Sequence, residues 1–125
     1  MIFKMKLDIT LLFNRVTFSL LMLTHGYPKL IKLFSENPTF SNPIGIGEFP
    51  TLVLAVFSEF IAPIFVIVGY KTKLFSFFPL VTMLVAGFVV HFDDPLKSKE
   101  KALLYLVGFT VIFLLGPGKY SFDKK

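Results

Sequence analysis

Between Lys73 and His91 the chain runs for seventeen residues without one ionisable side chain. As a helix rising 1.5 Å per residue, that stretch covers most of a ~30 Å hydrocarbon core and offers water no charged group. The stretch between Glu48 and Tyr70 is similar, interrupted only by Glu59. Hydrophobic residues make up 54% of the 125, 17 residues are Phe, and 17% are charged, against about 25% charged in an ordinary soluble domain. A soluble domain of this length must cover roughly a third of its unfolded-chain surface with polar groups. This composition excludes that class. It excludes disorder as well, which requires low hydrophobicity. The expectation is one integral membrane domain over residues 1–125.

Four apolar segments, 9–31, 49–70, 74–92 and 102–116, are each bounded by charges, Gly or Pro. Their continuous apolarity excludes the alternating strands of a membrane barrel. The predicted fold is therefore all-α: an integral membrane four-helix bundle, antiparallel and left-handed, with crossings near ~20°. The first segment has a basic start, but Asn14 and Arg15 cut its apolar run and no small-x-small cleavage site follows. It reads as a retained helix. Residues 69–73 form a tight turn, whereas 35–48 form a long loop rich in Pro, Gly and Asn. Gly116-Pro117-Gly118 ends the fourth span and turns the tail back across the end of the bundle. With both termini cytoplasmic, that side carries seven lysines (Lys4, Lys6, Lys71, Lys73, Lys119, Lys124, Lys125). The other side carries five (Lys29, Lys32, Lys97, Lys99, Lys101). Positive charge thus favours N-in and C-in in a cell inner membrane.

Zero cysteines exclude a disulfide framework, a thiolate metal site, an iron–sulfur cluster and a thiol relay. The net charge of +5 comes from lysines flanking apolar runs, which suits anionic headgroups and not nucleic acid. His25, Lys29, His91, Asp93, Asp94 and Glu100 share one membrane surface in the N-in arrangement. None has ligand spacing such as His-x-x-x-His, so no metal site is assigned.

Two charges fall where they are expensive. Glu59 lies about ten residues from either end of the second segment, near the bilayer midplane. Pro63, four residues on, removes the usual backbone donor to its carbonyl. On the first segment Arg15, Ser19, Met22, Gly26 and Lys29 keep within about 40° of one helical line, facing inward. Arg cannot deprotonate, so a buried Arg15 needs a partner or a water-filled cavity, and a carboxylate inside the bundle is expected. Glu59 is the expected partner and Asp123, on the folded-back tail, the competitor.

Arg15, His25-Gly26 and Lys29, then Glu59 with Gly69 and Lys73, then His91, then Glu100, stand in an order that resembles the DoxX family of small four-span membrane proteins. The ending GPGKYSFD, residues 116–123, is similar to that family's Gly-Pro-Gly-basic-x-Ser-x-Asp terminus. Where the family often has glycines just after the second-span Glu, this chain has Phe60, Ala62 and Pro63. The resemblance implies an inner-membrane protein tied to quinone-linked oxidoreductase complexes, such as the membrane subunit of thiosulfate:quinone oxidoreductase. On that reading Arg15, His25, Lys29, Glu59, His91 and Glu100 are ligand or proton sites, and Arg15, Ser121 and Asp123 clamp the tail. No cofactor is intrinsic, quinone is the expected guest, and any enzymatic role needs a partner subunit to supply electrons. A structural or assembly subunit without ligand, and a small proton-coupled transporter working as a homodimer, are the alternatives.

Overall fold

The computed structural model describes residues 1–90 and 93–123, so His91 lies outside the described residues. These are helical apart from a long loop over residues 34–47, shorter connections and the tail, and no strand occurs among them. Helix α1 (Ile2–Leu33) starts well ahead of the apolar segment at residue 9, because Lys4 and Lys6 are good helix formers. Its 32 residues extend about 48 Å, longer than one hydrocarbon core. Its buried side chains are Asp8, Leu11, Arg15, Ser19, Met22 and Gly26. Steps of three and four keep them on a single stripe.

Helix α2 (Glu48–Val68) takes one wide π-type turn over Phe57–Ile61, where the Ala62 N–H reaches back to Phe57 O. Pro63 has no N–H for Glu59 O, and the widened turn just before it absorbs the missing bond. The helix stops at Gly69, whose φ of 82° is left-handed. Gly69 N and Tyr70 N both donate to Phe65 O, at 2.9 and 3.0 Å, which satisfies a terminal carbonyl. Helix α3 (Thr72–Val90) follows at once. Helix α4 (Leu96–Leu115) runs to Gly116, φ 83°.

By length and composition α1, α2 and α3 are able to cross a membrane. Lys97, Lys99, Glu100 and Lys101 occupy the first turns of α4. Its apolar part, residues 102–115, covers only about 21 Å. Helix α1 packs on α2 and α4, α2 on α3, and α3 on α4. Met22, Val66, Met83, Tyr105, Phe109 and Ile112, drawn from all four helices, make one buried cluster. Gly108 lets the Phe18 ring approach α4 closely, where a Cβ would collide with it. On the outside, large apolar side chains remain exposed, among them Phe13, Leu74, Val107 and Leu114. Hydrocarbon, not water, is the solvent for such a surface.

Residues 116–123 turn back and are stitched to three helices. Phe122 N donates to Val68 O at 3.1 Å and Asp123 N to Gly69 O at 2.9 Å. Lys119 N donates to the Asp8 carboxylate at 3.3 Å. Gly69 and Gly118 permit the fit: a Cβ on the first would collide with Ser121, and one on the second would lie 3.1 Å from Leu11 Cβ.

Candidate functional site

The close approach of α1 to α2 sets the geometry. A Cβ on Gly26 would run into the Glu59 carbonyl and the Phe60 nitrogen. The one glycine on α1 thus faces the stretch of α2 that the wide turn reshapes. The glycine that permits this contact is on α1, so Phe60 and Ala62 on α2 do not prevent it. Three residues beyond Gly26, on the same face, Lys29 Nζ donates to both Glu59 oxygens, at 2.7 and 2.6 Å. The Glu59 side chain is 1% exposed and that of Lys29 28%. The pair therefore has a buried acid end and a half-open basic end.

The expected Arg15–Glu59 pair does not form. With Gly26 level with Glu59, Arg15 lies eleven residues away along α1, about 16 Å lower. The expectation took residue 9 as the start of the helix, which set Arg15 too near Glu59 in height. Arg15 donates instead to main-chain carbonyls: Nη1 to Pro117 O, and Nη2 to Tyr120 O at 2.7 Å and Ile67 O at 3.3 Å. The Asp123 carboxylate is close enough to act on Arg15 electrostatically. Its oxygens accept from Lys71 N at 3.0 Å, Thr72 N at 2.9 Å and Thr72 Oγ1 at 2.9 Å. It caps the first turn of α3. Ser121 Oγ donates to Gly118 O at 2.8 Å, within the tail.

The remaining candidates are dispersed. His25 is half-buried and sets its ring edge-on to Tyr105, centroids 5.3 Å apart. Glu100 is exposed on α4, and Asp93 and Asp94 are exposed in the connection before it. The site thus keeps Lys29 and Glu59 together, directs Arg15 to the tail at the opposite end of α1, and leaves His25 against α4.

Beside the ion pair lies a cavity of about 540 Å³ between the first half of α2 and the second half of α3. Lys29 and Glu59 form its polar wall, with Thr51 and Ser58 nearby; Phe77, Phe78 and Val81 supply apolar walls. The loop after α1 roofs it through Phe40. The Lys29 and Lys32 ammonium groups stand 5.6 and 5.7 Å from that ring. Glu48 Oε1 accepts from Phe40 N at 3.0 Å and fixes the loop. Leu54, Phe77 and Val90 line the cavity and are also 51, 45 and 42% exposed, so it opens sideways toward lipid. Phe40, Thr51 and Ser58 carried no signal in the sequence, because a roofing aromatic or a wall hydroxyl is indistinguishable there from any other. Asp8 was legible, one heptad before Arg15 on the same stripe.

The DoxX family model matches residues 10–92 of this chain. The Inner membrane protein YqjF of Escherichia coli (strain K12) is 26% identical over 121 residues, covering 94% of this chain and 92% of that protein. No solved structure matches. The family match spans the inward stripe of α1, the Glu59 region and the whole of α3, and on it the chain belongs to the DoxX family.

Proposed function

We propose that this DoxX protein is an inner-membrane subunit that holds a quinone for an oxidoreductase partner. In this reading the four helices are antiparallel spans of a left-handed bundle, with both termini cytoplasmic. Helix α4 is a short span whose first lysines snorkel to the opposite surface. The inner-membrane placement is supported by the name of the Escherichia coli relative and the cytoplasmic termini by the seven-to-five lysine count.

The observation that carries the reading is the cavity of about 540 Å³ with the Lys29–Glu59 pair in its wall. Apolar pockets of about 300–1,000 Å³ with a few convergent polar groups are the usual form of small-molecule sites. An ammonium has three donors, and Glu59 takes two of Lys29's. The third is able to meet a ring carbonyl. Phe77 and Phe78 match a flat ring, and the opening past Leu54 and Val90 gives an isoprenoid tail its exit into lipid. Because the ion pair is neutral overall, the wall favours an uncharged acceptor over an anion. The quinone, when bound, supplies two-electron redox chemistry, with the electrons assigned to the partner.

The test is thermal unfolding of the purified protein in nanodiscs with a short-chain ubiquinone, together with assay of quinone in its lipid extract. Binding at 100 times Kd stabilises by about 2.7 kcal/mol. The expected result is a raised Tm that Ala55→Trp, filling the cavity, abolishes. No co-purified quinone and no shift would instead favour the structural subunit, in which the ion pair only fixes helix register.

A further inference from the structure

The other end of the molecule carries a second, unrelated recess of about 400 Å³, between the start of α3 and the end of α4. The geometry points to a binding site there for the phosphate headgroup of an anionic lipid. Lys71 and Lys73 flank the recess, and Gly116 and Pro117 line it with them. Both lysines are exposed, while Gly116 and Pro117 are buried. Lys73 lays its stem across Gly116, its Cε 3.6 Å from where a Cβ on that glycine would stand. This contact brings the Lys73 stem against the wall of the recess. Lys71 holds φ at 45°, the only left-handed non-glycine backbone among the described residues. Gly or Asn would adopt that conformation with less strain.

Asp123 also lines the recess, and a carboxylate opposes an anion. Its two oxygens already accept from Lys71 N, Thr72 N and Thr72 Oγ1. Lys73 in the recess wall and Lys71, whose ammonium stands 5.7 Å from the Tyr70 ring centroid at its edge, set two positive charges against one engaged carboxylate. What separates a lipid from free phosphate is Leu115, which lines the same recess and is 59% exposed. A phosphate with an acyl chain would place its charge at the lysines and its first methylenes along Leu115. A free phosphate would leave that apolar wall wet. Basic recesses between helices at a membrane surface are a known kind of headgroup site.

The experiment uses the full chain in nanodiscs of phosphatidylcholine, with and without phosphatidylglycerol, and in phosphatidylcholine with inorganic phosphate. Acetylation rates of individual lysines are read by mass spectrometry on the unaltered protein. Phosphatidylglycerol is expected to slow Lys71 and Lys73 by about fivefold each relative to Lys97 and Lys101 at the other end. Lys71→Asn with Lys73→Gln, shown to keep its Tm in phosphatidylcholine, should lose the retained phosphatidylglycerol seen by native mass spectrometry. Equal slowing at both ends would mean diffuse surface attraction and would overturn the site. Equal protection by inorganic phosphate would overturn the lipid. Should the double variant fail to fold, the labelling of the unaltered protein still decides.

Discussion

A methyl group on Gly26 would meet the Glu59 carbonyl, so Gly26→Ala has to push α1 off α2 or fail to pack. Overpacking of this kind costs about 1–3 kcal/mol. Because Lys29 is carried by the same helix face, the variant should also release Lys29 from Glu59. A lowered Tm with faster acetylation of Lys29 checks both at once. The two ends of the ion pair are not equivalent. Lys29 is 28% exposed and Glu59 1%. Lys29→Met strands a buried carboxylate, and losing one partner of a buried pair costs about 3–5 kcal/mol. Glu59→Gln leaves a lysine that can snorkel outward, so it should cost clearly less; equal losses in detergent melts would contradict this asymmetry. At this scale the sequence was partly legible. The inward stripe and the buried positions of Arg15 and Glu59 followed from helical spacing alone. The partners did not, since they depend on how far α1 slides along α2, and that register is set by Gly26 and a turn widened ahead of Pro63.

At the scale of elements, apolar segments bounded by charges marked the helices well. Their ends were less legible: α1 runs on through Lys4 and Lys6 because water tolerates a charged helix. The wide turn over Phe57–Ile61 left only Pro63 as a trace. The tail was announced by Gly116-Pro117-Gly118, but its role as the cap of α3 was not, because the capping residue lies 51 positions from the helix start. Asp123→Ala should cost about 1 kcal/mol, the usual value of an N-cap. Hydrogen exchange should then rise at Lys71 and Thr72 and not in α2. Arg15→Lys should cost more than its charge-conserving nature suggests. A single ammonium cannot reproduce the planar fork that reaches Pro117, Tyr120 and Ile67 together. Equal Tm values for Arg15→Lys and the unaltered protein would refute that.

At the scale of the whole molecule, the polar groups divide between two ends. The Lys29–Glu59 pair and its cavity occupy one; Arg15, Asp8 and the tail occupy the other, with fully buried Met22 between them on α1. Beyond the charged first turns of α1 and α4, the outward surface is largely apolar. With α4 as the fourth span of the proposed arrangement, Val107→Arg, at a position 61% exposed, should hinder insertion by about 2.5–3.5 kcal/mol, the usual penalty at a helix centre. Membrane-inserted fraction in a translation assay would measure it.

The attachment of Arg15 to the tail also sets an order of assembly. Two of its three acceptors, Pro117 O and Tyr120 O, lie 102 and 105 residues downstream. A nascent chain that has delivered its first helix to the bilayer carries a permanent cation whose acceptors have not yet been synthesised. That charge must wait in a hydrated or chaperoned setting until residues 116–123 arrive. Emergence of residues 116–123 then doubles as the closing step of the fold. A product cut short after Leu115 would contain every described helix and leave the Arg15 guanidinium only Ile67 O as an acceptor, a mark by which quality control can tell it from a chain that carries residues 116–123.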